Sequence, residues 1–257
     1  MNKIIWIFLL FFNVLSAQNE EFIPRFVFGS ELKNENLIER YELLDFSHLW
    51  MITENHFVYG IIGDDHQRIR IKIISVSKDQ DTTTKYILSG KSNVKGNIYR
   101  FNGVIEIEEI FELVKINNGV DDEYKNRGIK SEGILIASYS LIEEKGLIHS
   151  GVFKGKLYTK WYLDANDKIQ YDVIQKQSDG YMNNAFIGTW QLNDSQLIMN
   201  CNWGDYRVPI VAPDFDIGAA FFSPNKEYSE LGWNNYREAY FNNDSNALSI
   251  EKEEWWK

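Results

Sequence analysis

Polar and apolar residues alternate along much of the chain. The cleanest stretch is Arg68-Ile69-Arg70-Ile71-Lys72-Ile73, whose period of two is that of a strand with one face in a core and one in water. An apolar run at 57–62 precedes it across Gly63-Asp64-Asp65-His66, a short Gly/Asp connection that reads as a hairpin. Residues 97–101 and 104–114 flank Asn102-Gly103, a pair that tolerates the positive φ angles of a type I′ turn, so a second hairpin is expected there. Further strand pairs are expected at 133–142 with 147–153, at 156–163 with 168–174 and at 185–192 with 196–201. The rhythm amounts to about ten strands spaced roughly 8–14 residues apart, which predicts a mostly β fold, an antiparallel β-barrel or β-sandwich, rather than alternating βα units.

Prolines 24, 209, 213 and 224 leave residues 25–208 free of proline, as a region of ladder-forming strands requires. Leu37, Ile38, Tyr41 and Leu44 are spaced for one short N-terminal helix over 34–44. The polar stretch 117–132 is a long loop. Residues 204–257 combine Pro, Gly, Asn and aromatics with weak periodicity, and are expected to be irregular, with a short helix around 226–240, and to pack on the β domain.

The first residues change the picture of where this domain works. Lys3 precedes an apolar run from Ile4, and small Ser16 and Ala17 follow it, the order of a secretory signal peptide. The run of about 12 residues is short for a membrane span, which needs about 20. The expected organisation is therefore a leader at 1–17, an antiparallel β domain at 18–203 and the irregular region at 204–257. The mature chain is expected in the periplasm or outside the cell, with no membrane span after cleavage. Cys201 is the only cysteine, so no intrachain disulfide forms, and its apolar neighbours Ile198 and Met199 point to a buried thiol. A formal net charge of −10 disfavours nucleic acid as a partner, since a net acidic surface repels phosphates.

Several residue groups are candidates for chemistry. Gly188-Thr189-Trp190 resembles the Gly-x-Trp triplet of lipocalin-type and avidin-type barrels, a resemblance carried by these three residues alone. It implies a barrel that binds a small molecule at its mouth. The same residues also fit a core Trp beside a Gly that admits close backbone approach. Glu106, Glu108 and Glu112 would share one face of a regular strand, and Glu106 with Glu108 could serve as the paired carboxylates of a glycosidase. That run slightly resembles the Glu-x-Asp-x-x-Glu of concanavalin-like glucanases, with Glu108 in place of Asp and the last Glu one position late; a solvated acidic face explains it equally. His48, His56, His66 and His149 lack the paired spacing of metal ligands. Asp164–Asp167 and Asp214-Phe215-Asp216 offer oxygen ligands without the calcium-loop pattern. No metal and no cofactor is expected.

The remaining candidate is the aromatic C-terminal portion. Trp203, Asp205, Tyr206, Arg207, Asp214, Asp216, Trp233 and Tyr236 interleave flat rings with hydrogen-bonding groups, a combination suited to a carbohydrate or a peptide. There is no Gly-x-Ser-x-Gly elbow, phosphate loop or Cys-x-x-Cys pair. The sequence thus favours an exported non-enzymatic β protein that binds a ligand, with a carbohydrate or an envelope protein as the partner class. The alternatives are an envelope glycan hydrolase using Glu106 and Glu108, and a structural or interaction protein without a small-molecule site.

Overall fold

A computed structural model of the chain describes residues 22–257 apart from Pro24. The leader expected at 1–17 lies outside the described residues. Nine antiparallel strands form one sheet: β1 Val58–Ile62, β2 Gln67–Lys78, β3 Lys85–Val94, β4 Asn97–Glu112, β5 Ser131–Glu143, β6 Gly151–Leu163, β7 Ile169–Tyr171, β8 Asn183–Leu192 and β9 Ile198–Asp205. Each of β1 to β6 pairs with the next, β6 then pairs with β8, β8 with β9, and β9 with β1. Eight strands therefore close into a barrel. β7 is the extra strand, pairing with residues 161–163 of β6 beyond the stretch that β8 occupies. The barrel form of the expected β fold is the one the chain adopts.

The turns follow local chemistry, though not always where the sequence suggests. The β3–β4 turn is Lys95-Gly96, both at positive φ (51° and 85°), as a type I′ turn requires. Asn102-Gly103, read above as the turn, lies inside β4, where Asn102 pairs with both Ser89 and Ile142. Gly103 serves close packing there: a Cβ on it would stand 2.1 Å from the Ser140 carbonyl oxygen. A β-bulge near Glu108 shifts the β4–β5 register between Ile107 and Glu109. The shift reverses the strand's phase, so Glu106 and Glu108 are exposed while Glu112 is buried. The three glutamates therefore do not share a face. The segment 34–44 is helical only at Ile38–Tyr41. Asn36 anchors the rest to β4, accepting from Ile110 N and donating to Glu108 O.

Inward residues alternate along every strand and fill the barrel with large rings. Phe186 stacks on Trp203 at 4.6 Å between centroids, and Tyr139 and Phe153 meet Trp203 edge-on. Several of these rings stand opposite a cross-strand glycine: Trp203 faces Gly60, Phe101 faces Gly90 and Trp161 faces Gly133. The glycine gives the ring the volume its own side chain would have used. One barrel end is plugged by residues 38–57. Trp50 Nε1 donates to Thr159 Oγ1, Asn184 Nδ2 donates to Leu49 O, and Phe46 N donates to the Tyr86 hydroxyl.

The last strand runs on through Gly204 and Asp205, and residues 206–257 wrap the outside of the barrel. They include helices Asn234–Phe241 and Ser245–Lys252, the second capped by Asp244, whose carboxylate accepts from Asn246 N and Ala247 N at 2.8 Å. This segment covers the outward cations of β2. Arg68 lies over Trp233 and makes a bidentate pair with buried Glu251 (2.7 and 2.6 Å), while Arg70 and Lys72 lie over Trp255 and Trp256. The cleanly alternating stretch in the sequence is thus polar on its outer face to receive the chain's own end.

The ring-on-glycine packing makes a stability prediction. A Cβ at Gly90 would stand 2.3 Å from Lys72 O and 2.4 Å from Phe101 Cζ. Gly90→Ala is expected to cost roughly 2–3 kcal/mol, a fall in Tm of about 5–10 °C for a chain of this length. Thermal denaturation followed by near-ultraviolet circular dichroism checks this, and an unchanged Tm would contradict the β3–β4 register.

Candidate functional site

The barrel end opposite the plug is bordered by the β1–β2, β3–β4, β5–β6 and β8–β9 connections and opens into a cavity of about 430 Å³. Its apolar wall comes from inward positions: Ile62 of β1, Ile69 of β2, Val94 of β3, Phe153 of β6, Trp190 and Leu192 of β8 and Met199 of β9. Below this level the barrel is packed solid by the rings described above. The rim is mixed: Ile148 and Leu197 are 77% and 48% exposed, and Asp65, Lys95, Asn97 and His149 stand on the same connections.

Three polar side chains at inward strand positions interrupt the apolar wall, and Asp65, Lys95, Asn97, Tyr99 and His149 also line the cavity. Glu143 ends β5 in phase with inward Tyr139 and Leu141. Its carboxylate accepts from Ser92 Oγ, from Gly151 N at 2.8 Å and from Trp190 Nε1 at 3.0 Å. Burial raises the Glu143 carboxyl above its ordinary pKa, and these three donors oppose the shift. Ser92 is the second group. Gln67, at the start of β2, is the third. Its Nε2 donates to Leu231 O at 2.9 Å, whereas its buried Oε1 has no hydrogen-bond partner among the described residues. An unsatisfied buried acceptor is costly and calls for an explanation.

The residues singled out from sequence occupy separate places. Trp203 lies in the packed barrel interior, and Trp233 and Tyr236 are buried under the C-terminal wrap, where the Tyr236 hydroxyl donates to Phe222 O. Tyr206 stacks on Phe57. Asp214 is exposed, beside the Tyr228 hydroxyl. Arg207 and Asp216 line a second cleft of about 670 Å³ between Phe22, Arg25 and Met182 on one side and residues 207–219 on the other. Their polar atoms are already engaged: Arg207 donates to Asp216, Gly218 O and Ala219 O, and Asp216 accepts from Gly218 N and Ser223 N. Glu108 is paired with Lys156 on the barrel exterior. Among the described residues no cluster of three His, Cys, Asp or Glu side chains is placed to hold a metal ion, and no helix is long and apolar enough to cross a membrane. Of the sequence leads, Trp190 of the Gly-x-Trp triplet lines the mouth, on β8 rather than on the first strand.

Other buried charged groups lie away from the mouth. At the plugged end, Asp205 accepts from Thr53 Oγ1, the Tyr171 hydroxyl and Asn184 Nδ2. Burial pushes its carboxyl up to about 6. On the barrel's outer face, Lys160 Nζ sits 4.4–4.8 Å from the ring centroids of Phe26, Phe28 and Tyr181. Burial lowers Lys160 to about 8, against the pull of Asp172 and Glu132, and raises Glu132 to about 7.

Comparison with known proteins returns no match: no family model, no curated protein and no solved structure is similar enough to carry an assignment.

Asp205 makes stability depend on pH in a defined direction. Its folded pKa, about 6, lies above the ordinary 3.8, so between these values the folded state binds more protons than the unfolded state. Its contribution is therefore largest at low pH and is lost as pH rises through 6. Glu132, raised to about 7, acts with the same sign. Tm is expected to rise between pH 7.5 and 5, and Asp205→Asn to flatten that rise. A Tm that falls over this interval in the native sequence would refute the assignment.

Proposed function

We propose that this chain is an exported, non-enzymatic β-barrel protein of the cell envelope that takes a small, largely apolar molecule into the open barrel mouth. The observation that carries the reading is the 430 Å³ cavity at that end, walled by Trp190, Phe153 and aliphatic side chains, with Gln67, Ser92 and Glu143 among them and polar residues such as Lys95, Asn97 and His149 toward the rim. Mostly apolar walls with a small number of placed polar atoms are the usual composition of a ligand pocket. The 670 Å³ cleft is larger, but the polar atoms of Arg207 and Asp216 within it are spent on one another and on the local backbone. The export part of the reading rests on the order of residues 1–17.

The apolar walls favour an apolar body over the carbohydrate suggested by the aromatics of 204–257. A hydrolase using Glu106 and Glu108 finds no support in their position, since both are exposed on the barrel exterior and neither lines the mouth.

Pyrene, a hydrocarbon without hydrogen-bonding groups, is a suitable probe. Saturable binding of one equivalent is expected, with energy transfer from Trp190. Leu197→Asp places a charge on the exposed rim, where it does not disturb the core, and is expected to weaken binding about tenfold, equivalent to about 1.4 kcal/mol. Fluorescence titration measures both, and absence of saturable binding would overturn the proposal.

A further inference from the structure

A row of cations crosses the outer face of the barrel. Lys72 of β2 stands opposite Lys91 of β3, and Lys91 stands opposite Arg100 of β4. Each alternates with buried inward neighbours, Ile71, Ser92 and Phe101 respectively. Like charges directly opposite one another destabilise a sheet, and this row lies in a chain whose formal net charge is −10. Glu251 neutralises the nearby Arg68, and Glu254 acts on Lys72 from a distance. Among the described residues, however, Lys72, Lys91 and Arg100 make no ion pair. Exposed Glu144, whose backbone N donates to Arg100 O, adds one opposing charge at the end of the row. The chain's last tryptophan reaches the row from the other side: the half-buried Trp256 ring lies 5.1 Å from Lys72 Nζ, and Trp256 O accepts from Lys91. The next outward row, Ser75, Ser89 and Asn102, is uncharged and rich in hydrogen-bonding groups.

We propose that this outer face binds an acidic glycan, a carbohydrate with carboxylates on successive sugar units, along the row Lys72, Lys91 and Arg100. The face is separate from the mouth, so either can bind without the other. Charge complementarity selects the occupant: an anion lying across the row offsets the repulsion that the three cations impose on one another. Neighbouring strands are about 4.8 Å apart, a spacing comparable with one sugar unit, so successive carboxylates can meet successive cations. The partly exposed Trp256 ring gives a flat surface for a sugar, and the hydroxyl and amide groups of the adjacent row suit its hydroxyls. The acidic remainder of the chain repels the same ligand and confines it to this face.

The test titrates the full-length mature protein calorimetrically with hexagalacturonate, with uncharged maltohexaose and with a linear polyphosphate of similar charge. Hexagalacturonate is expected to bind saturably and to weaken about tenfold when salt is raised from about 20 to about 200 mM. Maltohexaose and polyphosphate are expected to bind at least tenfold more weakly. Arg100→Gln, at an exposed position clear of the core, is expected to weaken hexagalacturonate binding about fivefold. Lys154→Gln removes an exposed cation from β6, away from the row, and is expected to leave binding unchanged. Absence of saturable hexagalacturonate binding, or equal losses in the two variants, would overturn the site. Polyphosphate binding as tightly as hexagalacturonate would overturn the assignment to a carbohydrate, and maltohexaose binding as tightly would overturn the role of charge.

Discussion

Eight strands enclose a column only wide enough for side chains to fill, and in this barrel that width is met with aromatic rings. Trp203, Phe101 and Trp161 each need more room than an inward position provides. Each obtains it from a glycine directly across the ladder, at Gly60, Gly90 and Gly133. The pairing fixes register as well as volume, because a slip of one residue would set a ring against a side chain. The solid interior confines any ligand to the ends, and residues 38–57 occupy one of them. The open mouth exists because the ring packing stops at Phe153 and Trp190.

The strand rhythm was legible because it depends on local alternation: the arginine-isoleucine run became β2, and the connections at 63–66, 164–168 and 193–197 contain the turn residues that predicted them, the last running two residues past the expected start of its strand at 196. The errors came from glycines and from phase. Asn102-Gly103 carries turn chemistry, but its glycine is required by contact with Ser140, far along the chain. Gly155 likewise lies within β6, so 147–153 and 156–163 belong to one continuous connection and strand rather than two strands. The bulge at Glu108 is set by pairing with β5 and leaves no local mark. The mouth residues were missed for the same reason: Gln67, Ser92 and Glu143 lie on three strands and meet only when the barrel closes. Glu143 did carry a signal, a carboxylate in step with inward Tyr139 and Leu141.

The C-terminal aromatics illustrate how composition misleads without geometry. Rings interleaved with polar groups suit a glycan, yet Trp233, Trp255 and Trp256 face Arg68, Arg70 and Lys72 of the same chain. The polar outer face of β2 and the aromatic tail are complementary halves of one intramolecular surface. Buried Glu251 completes it by neutralising Arg68, which is 8% exposed and would be costly to bury alone.

Closure also dictates when the molecule can be finished. β1 is bonded on one side to its neighbour β2 and on the other to β9, nearly at the far end of the barrel sequence. During synthesis from the amino terminus, the edge at Val58–Ile62 has no second partner until Ile198–Asp205 has been made. The interval is long, and pairing across such a separation is slow compared with forming hairpins. Until that pairing forms, the other strands can associate only as an open sheet whose β1 edge is unpaired, the form most prone to join another copy. The arrival of the last strand beside the first is the step that removes this edge.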